Sequence, residues 1–201
     1  SDTLPSIYIV DIQPSQVSTL NSSHPEIVVF PNVRSRILEI DGLKIQEGIA
    51  SGDKSVNRRL GREYNVTFRS QLLETESIDA GEWTANQKGT FSVEVDFAKR
   101  AGIELGSKLK LSIQGFPVEG VVTSIRETDK RSGLPFFFIV GSPTDFENFP
   151  ATYFGYAYFD DASIKKFKKF VAKEYPNIST IDTREISLLA DQILQVLLLI
   201  T

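Results

Sequence analysis

Cysteine and methionine are both absent from the 201 residues, and histidine and tryptophan occur once each. Without cysteine there is no disulfide scaffold, no thiol nucleophile and no cysteine-based zinc site. His24 stands between Ser23 and Pro25 and reads as a solvated loop residue. A Ser-His-Asp triad would have to use it, and no Gly-x-Ser-x-Gly elbow accompanies it. A His-Glu-x-x-His motif, an EF-hand loop, a Gly-x-Gly-x-x-Gly turn and a Walker A loop are likewise missing. No catalytic residue, metal ligand or cofactor is therefore read from the sequence. An unbroken apolar run of the roughly 20 residues that a membrane-crossing helix requires is also lacking, and so is a signal peptide. With no initiator methionine, the chain is expected to be a piece of a longer protein.

The charge that is present is balanced slightly toward acid, at a net −4, which disfavours nucleic acid as the main partner. Hydrophobic residues make up 41% and charged residues 24%, the composition of a folded chain of one large or two small domains. The 26 Asp and Glu residues leave room for a carboxylate acid–base pair, but spacing singles none out.

The chain opens with Ile7-Tyr8-Ile9-Val10, a β-branched and aromatic run that reads as a buried strand. Pro14 suits the first turn of a helix, with Val17 and Leu20 on one face. Ile27 to Phe30 and Val33 to Ile40 read as a longer strand, completing a βαβ unit. A second unit closes the chain. It has strand-like Tyr153–Phe159, a helix from about Ala162 to Tyr175 capped by Asp160 or Asp161, and a short strand at Ile178–Ile181. The helix carries Ile164, Phe167, Phe170 and Val171 as its inner stripe. The middle is mostly β, with strands expected near 64–68, 91–95, 108–113, 118–125 and 136–140, and one short helix near 96–101. Two βαβ halves around an inserted middle predict a split, ferredoxin-like α+β lobe with its ends close together. The boundaries expected are 1–40 and 151–182 for the two halves, 41–150 for the mainly-β insertion, and 183–201 for a closing helix.

That closing helix supports two readings. Asp182 or Thr183 can cap it, with Glu185 placed for a capping box. Ile186, Leu189, Ile193 and Val196 keep helical spacing and suit a segment folded on its own core. Val196–Ile200 has no polar face left, which suits the first turns of a membrane helix.

Four further features carry possible contacts. Arg58, Arg59 and Arg62 form a dense basic patch, either ion-paired at the surface or a docking site for an acidic partner. Trp83, after Gly81-Glu82, is either a packing anchor or a ligand platform. Lys165, Lys166, Lys168 and Lys169 interleave with Phe167 and Phe170, as a solvated basic face or a contact for anionic lipid. Phe136-Phe137-Phe138 reads as core strand.

Ordered fragments carry a resemblance. They are Ile7-Tyr8-Ile9-Val10-Asp11-Ile12-Gln13-Pro14-x-Gln16, Val33 to Ile37, Arg59 to Phe68, Gly81-Glu82-Trp83, Phe91 to Glu94, Leu105-Gly106 and Val122 to Asp129. Together they resemble an extracytoplasmic domain of FtsX-like ABC transporter permeases, nearest the YbbP-like branch, over Ser6 to about Leu199. The resemblance implies the second large periplasmic domain of such a permease, in the inner membrane of a bacterium. It implies the MacB and LolC plan, a porter-like α/β lobe with an inserted, mainly-β Sabre lobe. It implies transmission of movement driven by a separate cytoplasmic ATPase subunit to a lipid, a lipoprotein or a periplasmic protein, with no chemistry in this domain. Lys130 and Pro135 depart from the family pattern, which often has Trp and Asn there. An apolar-ligand or lipid-binding module and a carboxylate-based hydrolase are the alternatives.

Overall fold

The computed structural model describes residues 4–186. In chain order the elements are β1 (Ile7–Ile12), α1 (Pro14–Ser23), β2 (Val28–Ile40), β3 (Leu43–Lys44), α2 (Ile45–Ser51), β4 (Glu63–Phe68), β5 (Glu76–Gly81), β6 (Thr90–Glu94) and α3 (Val95–Ala101). They continue as β7 (Lys108–Ile113), β8 (Phe116–Thr128), β9 (Ile139–Gly141), α4 (Pro143–Phe146), β10 (Thr152–Ala157), α5 (Asp161–Glu174) and β11 (Ser179–Asp182), and 3-10 turns lie at Arg58–Gly61 and Lys130–Ser132. The fold is α+β and forms two compact units. The first takes the chain up to Phe30, residues 131–134 and everything from Thr152 on; the second takes Pro31–Lys130 and Pro135–Ala151.

In the first unit the strand order is β11-β1-β10-β2, and β1 runs antiparallel to both neighbours. β10 lies between β1 and β2, so the β1-α1-β2 unit is split, as in ferredoxin-like folds. Strand alternation aims Ile7 and Ile9 to one face. There they join Leu20 of α1 and Ile164, Phe167 and Val171 of α5 in one buried cluster. Burying each of these side chains stabilises the unit by about 1.5–3 kcal/mol. α5 starts where expected: Asp160 accepts from the Ser163 amide at 2.8 Å, and that bond holds its carboxyl below the usual carboxylate range. α1 has Pro14 in its first turn, and the Gln16 side chain accepts from the Gln13 amide at 3.0 Å. Gln16 and Asn177 then exchange two amide hydrogen bonds, at 2.8 and 2.9 Å, which ties the start of α1 to the approach of β11.

His24 departs from the solvated-loop reading. It closes α1, and its ring lies 4.9 Å from Phe167 and 5.0 Å from Phe170. Pro25 turns the chain away after it, leaving the imidazole against the aromatic stripe of α5.

The two ends of this unit meet. The Thr183 amide donates to the Ser6 carbonyl at 3.1 Å, and the Thr183 hydroxyl donates to the Pro5 carbonyl at 3.0 Å. Residues 183–186 are helical, and Asp182 caps them by accepting from the Arg184 amide at 3.0 Å. The apolar run beyond Ile186 lies outside the described residues. Among the described residues no helix is long and apolar enough to cross a membrane.

In the second unit, β2 pairs with β4 from Val33 onward and with β7 from Arg36 onward. β4 runs parallel to β9, β9 antiparallel to β6, and β6 parallel to β8. β8 also holds β5 and β7. The core gathers Val33, Ile37, Val66, Phe91, Leu111 and Phe146. The helix expected near 96–101 is α3, ended by Gly102 at φ 69°, where an L side chain is disfavoured. The strand expected at 136–140 is shorter, because β9 begins at Ile139. The reason is electrostatic: the Phe137 carbonyl is taken by the Arg126 guanidinium, and Phe136 is left 39% exposed.

Candidate functional site

All three arginines of the expected basic patch are exposed. Arg58 and Arg59 lie on the 3-10 turn, which Asn57 caps by accepting from the Arg59 amide at 3.0 Å. Arg62 follows directly, with its guanidinium 5.6 Å from the centre of the Tyr64 ring. The Tyr64 hydroxyl donates to the Arg59 carbonyl at 2.7 Å, so turn and strand are locked together.

A fourth arginine, not singled out in the sequence, joins them. Arg100, in the last turn of α3, sits 5.8 Å from the centre of the Phe138 ring. Its carbonyl accepts from the Asn57 side chain at 3.4 Å. The floor is aromatic: Phe97 and Phe138 stack at 4.7 Å, and Tyr64 meets Phe97 edge-on at 5.3 Å. Arg59, Arg62 and Arg100 rim a cavity of about 190 Å³ over these rings. A second cavity of about 270 Å³ shares Arg62, Tyr64 and Phe138 and runs on between Glu63–Asn65 and Phe136–Phe138. The two make one groove.

The surface ion pairing weighed for the patch does not occur: among the described residues Arg58, Arg59, Arg62 and Arg100 have no carboxylate within 4.0 Å. Glu63 does line the groove, but its charge is offset by Arg34 at 3.4 Å and Arg36 at 3.7 Å. The only signal for Arg100 in the sequence was a Lys-Arg pair in the last turn of a short helix. Nothing local ties it to a turn that precedes it by 43 positions.

The groove wall hangs on a buried ionic network. Arg126 is fully buried. Its Nε donates to Glu76 at 3.2 Å and its Nη1 to the Ser92 carbonyl at 2.8 Å, while its Nη2 holds the Phe137 carbonyl. Glu76 also receives Arg69 at 2.6 Å. Burial pushes the Arg126 guanidinium down to about 10 against the opposing pull of Glu76, so it stays charged at neutral pH. Glu94, also buried, caps α3 through the Phe97 amide at 2.8 Å and pairs with Lys130 at 2.9 Å. Lys130, at the position where the resembled family often has Trp, is thus a charge partner here; it also pairs with Asp96 at 2.7 Å.

Trp83 does not join the arginine groove. It is half-buried, its indole N–H donates to the Ser70 carbonyl at 3.0 Å, and Arg69 lies 5.4 Å from its ring centre. It thereby lids the outer cation of the buried network. Gly81 just before it has φ 79°, and a Cβ there would stand 2.2 Å from the Thr123 carbonyl oxygen. On α5, Lys165, Lys166 and Lys169 are exposed, and Lys168 pairs with Glu185. The buried carboxylates Glu76, Glu94 and Asp182 are each neutralised by a cation.

No family model matches the chain. It is distantly homologous to an uncharacterized ABC transporter permease, YbbP of Escherichia coli (strain K12), being 28% identical over 141 residues. That match takes in 68% of this chain and 16% of the permease, so the chain spans a small fraction of its relative. A solved crystal structure, of a domain assigned to a permease protein of Porphyromonas gingivalis, aligns over 88% of both chains at a TM-score of 0.46 and 12% identity.

Proposed function

We propose that this chain is a non-catalytic, extracytoplasmic domain of an FtsX-like, MacB- and LolC-type ABC transporter permease. The first unit is the porter-like lobe and the second the inserted Sabre-like lobe. The parent protein sits in the inner membrane of a bacterium, with ATP hydrolysed by a separate cytoplasmic subunit. The domain passes the resulting movement to a lipid, a lipoprotein or an exported protein.

The observation that carries this reading is the meeting of the chain's two flanks. Thr183 is hydrogen-bonded to both Pro5 and Ser6, so segments leading in and out of the first unit emerge side by side. Two membrane helices attached there would move one body as a pair, because strands β1 and β11 are directly paired. The distant homology to a permease supports the same reading.

Cysteine labelling tests the location, once any cysteines elsewhere in the parent protein are replaced. Single cysteines at Arg62 and at Lys165, placed in the full-length parent protein, should react with a membrane-impermeant maleimide in intact cells. Reaction only after the cytoplasm is opened would overturn the location. Spin labels on the two flanking helices of the reconstituted transporter should change separation on ATP binding; a fixed separation through the ATPase cycle would overturn the transmission role.

A further inference from the structure

We propose that the arginine-rimmed groove of the second unit binds an extended acidic peptide segment of a protein partner. The proposal deepens the permease reading by naming the chemistry of the partner, and it rests on that reading only for where the partner is met.

Three features of the groove point to this occupant. The first is charge: Arg59, Arg62 and Arg100 converge without a carboxylate within 4.0 Å, in a chain whose net charge is −4. The guanidinium fork matches a carboxylate through two parallel hydrogen bonds. The second is size. The arginine-lined end, at about 190 Å³, is smaller than the roughly 300 Å³ at which small-molecule pockets begin. That end accommodates one acidic side chain, and the adjoining cavity of about 270 Å³ takes the rest of an extended segment.

The third is a backbone edge. β4 spans Glu63–Phe68, yet β9 pairs it only from Val66 onward. Glu63–Asn65 therefore face the groove as an open strand edge, with Phe136–Phe138 on the far side. An incoming strand can hydrogen-bond to such an edge while alternate side chains seat in flanking pockets. With side chains alternating along a strand, acidic residues at every second position share one face, so that one of them seats among the three arginines and its neighbour lies near Arg62. The aromatic floor takes the aliphatic stems of those side chains. Glu63 does not oppose this, since Arg34 and Arg36 already offset it. A lipid headgroup would satisfy the charge but would leave the strand edge unused.

The test uses the whole chain and a fluorescein-labelled peptide of alternating Glu and Thr, about six residues long, the length of a common strand. Its Gln-for-Glu counterpart and phosphatidylglycerol vesicles are the comparison probes. Fluorescence anisotropy should show binding of the acidic peptide that weakens as salt is raised. Arg62→Glu and Arg100→Glu should each weaken it about tenfold or more, while Lys165→Glu and Lys166→Glu leave it unchanged. In the unsubstituted chain, amide resonances of Glu63–Asn65 should shift on titration, which requires no variant to fold. Equal binding by the arginine variants, equal loss in the lysine variants, no shift at the β4 edge, or capture by vesicles with no peptide binding would each overturn the proposal. None of these outcomes bears on the permease reading, whose location and transmission role the labelling in cells and the spin-label distances test separately.

Discussion

Replacing Glu76 by glutamine isolates the contribution of the buried network. The carboxylate is 1% exposed and serves two guanidiniums, Arg69 at 2.6 Å and Arg126 at 3.2 Å, as well as the Leu73 amide at 3.3 Å. Glutamine keeps the shape but removes the charge that offsets a cation with no exposure of its own. Removing one partner of a buried pair costs about 3–5 kcal/mol. The lower end applies here, because Arg126 keeps the Ser92 and Phe137 carbonyls and Arg69 keeps 12% of its surface in water. We expect a loss of about 3 kcal/mol in urea unfolding, or about 6–12 °C in Tm for a chain of this length unfolding as one. Arg126→Met should be costly as well, and it should loosen the groove wall, since Phe137 loses its anchor. The double variant Glu76→Gln/Arg126→Met should be more stable than the two single losses added together, by at least about 1 kcal/mol. A Glu76→Gln cost below about 0.5 kcal/mol would refute the reasoning, as would strict additivity.

Two further expectations follow from the geometry. Gly81→Ala sets a Cβ 2.2 Å from the Thr123 carbonyl oxygen at φ 79°, whereas Gly89→Ala at φ 72° meets nothing within 4 Å. Urea unfolding should show about 1–2 kcal/mol lost at Gly89 from backbone strain alone and clearly more at Gly81; equal losses would show that the Thr123 contact is unimportant. Asp182 is held below its ordinary value of 3.8 chiefly by the Arg184 side chain. Its folded pKa is thus depressed, so its stabilisation is complete above about pH 4 and is lost as the pH falls through the lower folded value. Thermal unfolding followed from pH 5 to pH 2 should drop less steeply for Asp182→Asn than for the unsubstituted chain; parallel curves would remove Asp182 from the closure of the two flanks.

The local elements were legible because their signals are local. The stripe Ile164, Phe167, Val171 repeats at helical spacing, Asp160 stands where a cap belongs, and Gly102 supplies the left-handed residue that ends α3. Those features fixed α5 and α3 nearly to the residue. The α+β class followed as well, since two βαβ patterns flank a β-rich middle. The Phe136–Phe138 triplet looked like strand for the same reason that Ile139–Gly141 is one: both are apolar. Only Arg126, holding the Phe137 carbonyl across the chain, makes them different. β5 went unread because Glu76, Asp79 and Gly81 do not look like a strand; it exists because β8 offers it a partner.

Sequence alone determined where α1, α3, α5 and most of the longer strands lie, that cysteine and zinc-thiolate chemistry is excluded in this chain, and that Arg58, Arg59 and Arg62 crowd one short stretch. Periodicity and residue type act over a few positions, and a reader of the chain sees them directly. Tertiary structure decided that Arg100 completes that cluster, that Glu76 and Arg126, 50 positions apart, neutralise each other out of water, and that Thr183 closes on Ser6. These juxtapositions depend on which strands pair and in what register. That choice is made by the free energy of the assembled core, which no short stretch of residues carries by itself.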